Sequence, residues 1–391
     1  MVQVASLFNQ LLQYFPRLEF AALVKKHQAE RAAKGFNCWT QLVAMLFCQL
    51  GHADSLREIC NGLSCCLGKL VHLGIAQAPN KSTLSYANQH RPAELYQQLF
   101  YTVLERFRAQ QSLGARKRQF RFKNKLLSLD STTVSLCLTL FPWAQFRRTK
   151  GGVKAHVLMD HDDYLPRYVL LTPARASDVR MAHQFDLPPG SIVAVDRAYN
   201  DFSLFTRWTH AGVYFVTRPL RHRVYAVVKS QEPPPTSNIL SDQIIRFTSK
   251  KARQTFKQEL RRVVVWDEVN EREIVLLTNH FGFGATTIAN IYKDRWEIEL
   301  FFKALKQNLK IKSFVGTSEN ALRIQIWTAL LALLLLKWLY HLSKANWSLS
   351  NLASMLRLNL FTYRELTQWI DNPMGTPPLI PAAEQLTLAL V

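Results

Sequence analysis

The stretch that most constrains the fold is residues 191–196, SIVAVD, an almost wholly apolar run of strand length that ends on a carboxylate. Such a run is buried on both faces, as strands are inside a parallel sheet covered by helices. An earlier run, LLSLDSTTVSL over 126–136, has the same apolar start and carries Asp130. Between the two, KAHVLMD and PRYVLLT read as a hairpin around His161-Asp162-Asp163-Tyr164, and Ser177 can cap a helix over DVRMAHQF. A strand, a crossover helix and a second buried strand imply a right-handed crossover and a parallel pair. With SIVAVD beside LLSLD, Asp130 and Asp196 emerge together at one sheet end, where the sites of α/β proteins form. Asp160, Asp162 and Asp163 make an acidic cluster too, but their place in a polar turn reads as solvated turn residues.

Downstream, NDFSLFTRWTHAG reads as a helix and VYFVTRP as a further strand. From about 221 to 280 the pattern turns to β, with RVYAVVKS, DQIIRFTS, ELRRVVVWDE and REIVLLTNH around a Pro233-Pro234-Pro235 loop, which reads as a strand-rich insertion. Residues 291–312, IYKDRWEIELFFKALKQNLKIK, then read as one helix. Tyr292, Arg295, Glu299 and Lys306 fall within an arc of about 60° on it, at roughly 100° per residue. Ile291, Ile298, Phe302, Leu305 and Leu309 fill the neighbouring arc, so the helix can bury one flank and present phenol, guanidinium, carboxylate and ammonium along its edge. The plainer alternative is a surface helix laced with ion pairs, led by Arg295 with Glu299, although that order, with the cation first, is the weaker one for supporting a helix.

Charge decides what such an edge faces. The 391 residues carry 49 Lys plus Arg against 28 Asp plus Glu, a formal net charge of +21, which calls for a polyanionic partner. The excess is local. Residues 116–125, RKRQFRFKNK, hold six cations, Arg147, Arg148, Lys150 and Lys154 follow, and Lys303, Lys306, Lys310 and Lys312 line the late helix. Aromatics interleaved with these cations favour nucleic acid over a solubilising charge coat. The six cysteines, Cys38, Cys48, Cys60, Cys65, Cys66 and Cys137, lack a disulfide-framework spacing and read as reduced thiols. Cys60, Cys65, Cys66 and His72 have no paired CxxC, so buried thiols are preferred to a zinc site. No cationic stretch precedes an apolar core at the start, so no signal peptide is expected. The membrane-like run over 326–336 is 11 residues, short of the roughly 20 that span a bilayer, and reads as a buried helix.

Residues 1–115 read as helical, with a capping box at Ser55 and Glu58. SLREICNGL and KSTLSYANQHR, joined through Ala78-Pro79-Asn80, resemble a helix-turn-helix that offers Lys81, Ser82, Thr83, Tyr86, Asn88 and Arg91 to a groove, with a plain helical hairpin as the alternative. After 312, Thr317 or Ser318 opens another helix, SLSNLASML and TYRELTQWI suggest more, and the Pro-rich tail from Asn372 reads as loose.

Two aspartates on neighbouring strands and a glutamate on a later helix are what two-metal phosphoryl transfer requires. Hard divalent cations prefer carboxylate oxygens, and two ions about 3.5–4 Å apart can activate an attacking oxygen and stabilise a leaving one. At this point the sequence resembles the bacterial insertion-sequence transposases of the DDE superfamily, in the branch with a Tyr-x2-Arg-x3-Glu-x6-Lys signature named for insertion sequence four. Tyr292, Arg295, Glu299 and Lys306 match all four positions, LDSTT at 129–133 resembles the first-Asp motif, and VDRAY at 195–199 the second.

The resemblance covers roughly 120–345. It implies an α/β fold with an RNase H-like core and a β-rich insertion. It further implies magnesium, two ions with manganese as a substitute, held by Asp130, Asp196 and Glu299, and cut-and-paste transposition by a homodimer on terminal inverted repeats, with a hairpin intermediate. Tyr292, Arg295 and Lys306 would hold DNA phosphates, and the cations Lys303, Lys310, Arg147, Arg148 and Lys154 extend that expectation. The domain expectation is a helical DNA-binding region over 1–118, the catalytic domain over 119–345 and C-terminal helices with a loose tail over 346–391, in a protein of the cytoplasm and nucleoid. Two positions depart from relatives. Ala198 stands where Gly is usual, a mild change if the backbone there avoids positive φ. Residues 274–277 lack the tryptophan some relatives use to stack a flipped base, and Trp266, the nearest candidate, reads as a core residue. Competing readings are a structure-selective nuclease, which would cleave without joining ends, and a transposase-derived DNA-binding protein that no longer cuts.

Overall fold

Side-chain caps fix four of the six α-helix starts in the first segment. The computed structural model describes residues 5–31, 33–66, 70–110, 120–147, 150–221, 223–235, 237–311 and 313–378, without side chains at 146, 147 and 150. Its first six helices are α1 (Leu7–Leu12), α2 (Arg17–Lys26), α3 (Cys38–Leu50), α4 (Leu56–Ser64), α5 (Lys81–His90) and α6 (Glu94–Ala109). Ser6, Asn37, Ser55 and Asn80 each accept a backbone N–H at a helix start. Half of the expected capping box forms, the Glu58 N–H donating to Ser55 Oγ at 3.1 Å, while Glu58 Oε2 reaches one residue further back and accepts the Asp54 N–H at 2.8 Å. The groove-facing set expected on α5 does not survive intact. Asn88 and Arg91 are buried, Gln41 donating to Asn88 at 2.8 Å and Arg91 donating to Gln41 at 3.1 Å, because α5 turns that side into the helical core. Lys81, Ser82 and Tyr86 remain exposed.

Residues 120–303 build one mixed sheet. Its strands are β1 (Leu126–Leu136), β2 (Gln145–Arg147), β3 (Lys150–Asp160), β4 (Leu165–Pro173), β5 (Ile192–Val195), β6 (Tyr214–Thr217), β7 (Tyr225–Gln231), β8 (Ile239–Phe247), β9 (Leu260–Asp267) and β10 (Arg272–Thr278). They run in the order β2-β3-β1-β5-β6-β10-β9-β8-β7, with β4 also on β3. β1 pairs antiparallel with β3 and parallel with β5, and β5 pairs parallel with β6. The strands of 221–280 are no separate module. They extend this sheet through an antiparallel β10–β6 pair, and β7 is its exposed edge. The helices here are α7 (Asp178–Ala182), α8 (Phe202–His210), α9 (Lys250–Thr255), α10 (Ala285–Asp294) and α11 (Trp296–Asn308).

The apolar run of β5 is continuous because both faces are covered. Val193 and Val195 join Leu127, Leu129 and Phe215 under Phe202, Phe205 and Trp208 of α8. Ile192 and Ala194 join Leu126 and Val216 under Ala285, Ile288 and Ile291 of α10. Burying each aliphatic side chain is worth about 1.5–3 kcal/mol, so this two-sided packing fixes where the strand ends. The expected single helix over 291–312 is two, broken at Arg295, which keeps φ −51° and ψ −28°. Its apolar flank is buried as expected, Ile291, Ile298, Phe302, Leu305 and Leu309 all lying inside.

The last helices are α12 (Glu319–Leu342), α13 (Leu349–Asn359) and α14 (Leu366–Asp371). The chain divides into Arg116–Lys303 on one hand and Met1–Ala115 with Ala304–Val391 on the other. That differs from the boundary expected near 345, because α12 packs on α3, α5 and α6. α12 is 24 residues long and apolar enough to cross a membrane by length and composition, and it is buried against these helices instead.

Candidate active site

Register brings the two aspartates together. Leu129 of β1 lies opposite Val195 of β5 in the parallel pair, so Asp130, where β1 runs on beside β3, stands next to Asp196, the first residue past the end of β5. Asp130 Oδ1 accepts the Ser131 N–H at 2.7 Å. Asp196 Oδ1 accepts the Ala198 N–H at 2.8 Å and opens the single 3-10 turn Arg197–Tyr199. Ala198 is not among the residues with positive φ, which explains how a side chain is accommodated there. Thr217 donates to the Asp196 carbonyl at 3.0 Å and ties the end of β6 to the same place.

The third carboxylate arrives on α11. Arg295 is 8% exposed, its Nη2 donates to Glu299 Oε1 at 2.7 Å and its Nη1 stands 3.7 Å from Asp130 Oδ2. Its guanidinium carbon lies 5.3 Å from the Tyr292 ring centroid. A solvated ion-pair face would leave this guanidinium in water; here it is buried and reaches a carboxylate on another element. Burial, then the neighbouring Asp196 and Glu299 carboxylates, push the Asp130 carboxyl up to about 7, against the Ser131 N–H and Arg295, which oppose the shift. Nε and Nη1 of Arg295 are buried without a hydrogen-bond partner. Unmet donors of that kind cost stability unless a ligand takes them up.

The remaining sequence candidates scatter. Lys303 is exposed on α11, whereas Lys306 and Lys310 lie past Ala304, in the other compact unit. The Lys310 ammonium pairs with Asp54, and the Lys310 backbone N–H donates to Gln49 Oε1 at 2.8 Å. Lys154 does not face outward for DNA. Its ammonium donates to the Ala176 carbonyl at 3.0 Å and to Asp178 at 3.2 Å, an interior pair that holds α7 against β3. The Arg147 side chain and all of Arg148, like residues 111–119 and Lys312, fall outside the described residues. Trp266 is 37% exposed on β9, not a core residue.

Sequence reasoning missed several neighbours. Arg218 follows β6 directly and its charge acts on Tyr292, a position signalled by the same strand-end logic as Asp196. Tyr199 is buried beside Asp130, Asp178 and Asp196, and that burial pushes its phenol up. Asp160 is not a solvated turn residue. It is buried and bridged to Lys125 at 2.7 Å, a partner on a distant segment that the turn composition could not reveal.

The donor set is all oxygen, with one carboxyl pushed up by burial and, beyond that, by its two carboxylate neighbours, which fits a hard divalent cation. Among the described residues no three His, Cys, Asp or Glu side chains are drawn to one point, because Glu299 is turned to Arg295.

Residues 121–335 match the family described as Transposase DDE domain, and residues 3–76 match a domain of unknown function, DUF4372. A Sinorhizobium fredii protein named as transposase y4zB is 29% identical over 311 residues, 78% of this chain and 83% of that protein. The probable transposase for insertion sequence element IS5377 of Geobacillus stearothermophilus is 30% identical over 271 residues, 69% and 70% of the two chains. A solved piggyBac transposase synaptic complex with hairpin DNA is similar over 93% of this chain and 80% of that one, at a TM-score of 0.44 and 9% identity, a likeness too slight to bear on the fold.

Proposed function

The chain belongs to the bacterial insertion-sequence DDE transposases, and from that premise we propose that it cuts and joins DNA at terminal inverted repeats by metal-dependent phosphoryl transfer, with Asp130, Asp196 and Glu299 as the metal ligands. The observation that carries this is the placement of the three carboxylates: register sets Asp130 beside Asp196, and Arg295 joins Asp130 to Glu299. A site that concentrates negative charge at a stability cost is built to receive a cation. When bound, divalent metal activates the attacking oxygen and stabilises the leaving one.

The protein's own groups do the rest. Asp130 gives up its proton to become a pure acceptor. Arg295, whose Nε and Nη1 lack partners, offers two buried donors to phosphate oxygens in place of the contacts that now hold it. Tyr292 shapes the wall beside it, and Arg218 and the exposed Lys303 extend the cationic track for the backbone. The strand arrangement β4-β3-β1-β5-β6, antiparallel up to β1 and parallel after it, supports an RNase H-like core. The four-residue signature supports the insertion-sequence-four branch, and the resemblance to that branch, with the all-oxygen donor set, supports magnesium, with two ions, as the occupant.

The test supplies a repeat-end duplex, pre-cut or uncut, with target plasmid in magnesium. Joined products are expected from the pre-cut end. Cleavage of uncut ends without any joining would make the protein a nuclease and overturn the proposal.

A further inference from the structure

A buried polar chain runs from β1 to the junction of α10 and α11. Ser128 Oγ lies 2.6 Å from His161 Nε2, and His161 Nδ1 lies 2.5 Å from Asp294 Oδ2. Tyr164 adds a second hydroxyl, 3.2 Å from Asp294 Oδ1. The distances are those of a Ser-His-Asp triad, but Ser128 is 0% exposed, so no substrate can reach it as a nucleophile. What the chain connects is more telling. Ser128 stands two residues before Asp130 on the same face of β1. Asp294 ends α10 immediately before Arg295, the residue that reaches both Asp130 and Glu299. His161 is also tied to β1 through its backbone, its N–H donating to the Leu126 carbonyl at 3.1 Å.

Tyr164 itself sits at φ 52°, a left-handed conformation that a bulky side chain rarely adopts. Such strain persists where surroundings over-determine it, and here the phenol is held on Asp294. Glycine would serve that turn more cheaply, but glycine carries no hydroxyl.

We propose that His161, clamped between Ser128 and Asp294 and backed by Tyr164, is a positioning residue that sets the α10–α11 junction, and through it Arg295 and Glu299, against Asp130. The inference rests on reading the site as a phosphoryl-transfer centre, where a displacement of about 1 Å in a positioned group can cost on the order of a hundredfold in rate. The His161 ring makes its contacts with Ser128, Tyr164 and Asp294, and acts on the site through Asp294 rather than by touching Asp130, Asp196 or Glu299.

The experiment compares His161→Ala, His161→Asn, Tyr164→Phe, Asp294→Ala and the His161→Ala/Asp294→Ala double variant. It reads single-turnover cleavage of a repeat-end duplex in magnesium, equilibrium binding of that duplex, and amide hydrogen exchange over 291–303. His161→Ala is expected to slow cleavage at least tenfold with binding within about twofold, and to speed exchange over 291–303 alone. His161→Asn keeps a donor at the Nδ1 position and should recover most of the rate. The double variant should be no slower than the slower single one, since both break one chain. A parent-like rate and exchange in His161→Ala, an exchange increase spread evenly through Arg116–Lys303, or multiplying effects in the double variant would each overturn the proposal. Should His161→Ala fail to fold, unchanged rate and exchange in both His161→Asn and Tyr164→Phe overturn it, and slowed cleavage with local exchange in Tyr164→Phe sustains it. If the parent cleaves no repeat end, the functional reading falls, while exchange over 291–303 still decides whether His161 sets the junction.

Discussion

Arg295 pairs with Asp130 and Glu299 and carries two buried donors without a hydrogen-bond partner, which on the proposed function take up phosphate oxygens. A positioned cation beside a transferring phosphoryl group contributes several kcal/mol to the transition state, so Arg295→Ala should slow cleavage on the order of a hundredfold in a single-turnover assay. Arg295→Lys should recover little, because a point charge cannot bridge two carboxylates and a phosphate with forked, planar donors. Asp130 makes a second prediction, read by thermal unfolding in chelator. The folded protein keeps the Asp130 proton up to about 7, while the unfolded chain releases it near the ordinary value of 3.8, so its contribution to stability falls as pH rises between those values. Asp130→Asn should therefore raise the melting temperature at pH 8 by roughly a few degrees, with the gain shrinking to nothing near pH 4. His156, held neutral by burial down to about 4, tilts stability the other way below 6.5, and it cancels because both proteins contain it. At this scale the carboxylates and Arg295 were legible because each sits in a local pattern of strand end or helix stripe. His161 and Asp160 were not, because their partners Asp294 and Lys125 are brought in by the fold alone.

Elements were legible where burial is two-sided or a cap is local. The LLSLDSTTVSL and SIVAVD runs became β1 and β5, and Ser55, Ser177 and Ser318 cap helices as their positions suggest. The break at Arg295 has no mark in the sequence, since the apolar period continues across it and Arg295 keeps helical φ and ψ. Within α12, Gln325 and Thr328 are buried polar side chains among apolar neighbours, and Gln325 reaches beyond its own helix. It accepts the Val315 N–H at 2.9 Å and donates to the Lys310 and Ser313 carbonyls at 2.7 and 2.8 Å. Gln325→Leu keeps the volume and strands those backbone groups, so denaturant unfolding should show a loss of about 2–4 kcal/mol. A variant as stable as the parent would mean that the 310–315 segment is held by other interactions.

Across the whole molecule, the two-part division was only half visible. A change of texture near Phe120 marked one boundary, but the return of α12 to the N-terminal helices depends on packing between segments hundreds of residues apart. Deleting residues 1–119 would therefore strip α12 of its partners, and end recognition is better tested by substitution. Replacing Lys81 and Tyr86 on the exposed side of α5, together with cations of 116–125, should weaken repeat-end binding and flatten its salt dependence, by about 0.9 in log-log slope for each phosphate that is no longer neutralised. Selective end binding that survives all of these changes would move recognition elsewhere. If Asp130, Asp196 and Glu299 form one metal-dependent cutting site, cleavage of a labelled repeat-end duplex in magnesium by Asp130→Ala, Asp196→Ala and Glu299→Gln, beside the parent, shows it. The expected result is full-strength end binding and no cleavage in all three; near-parent cleavage by any one of them would contradict it.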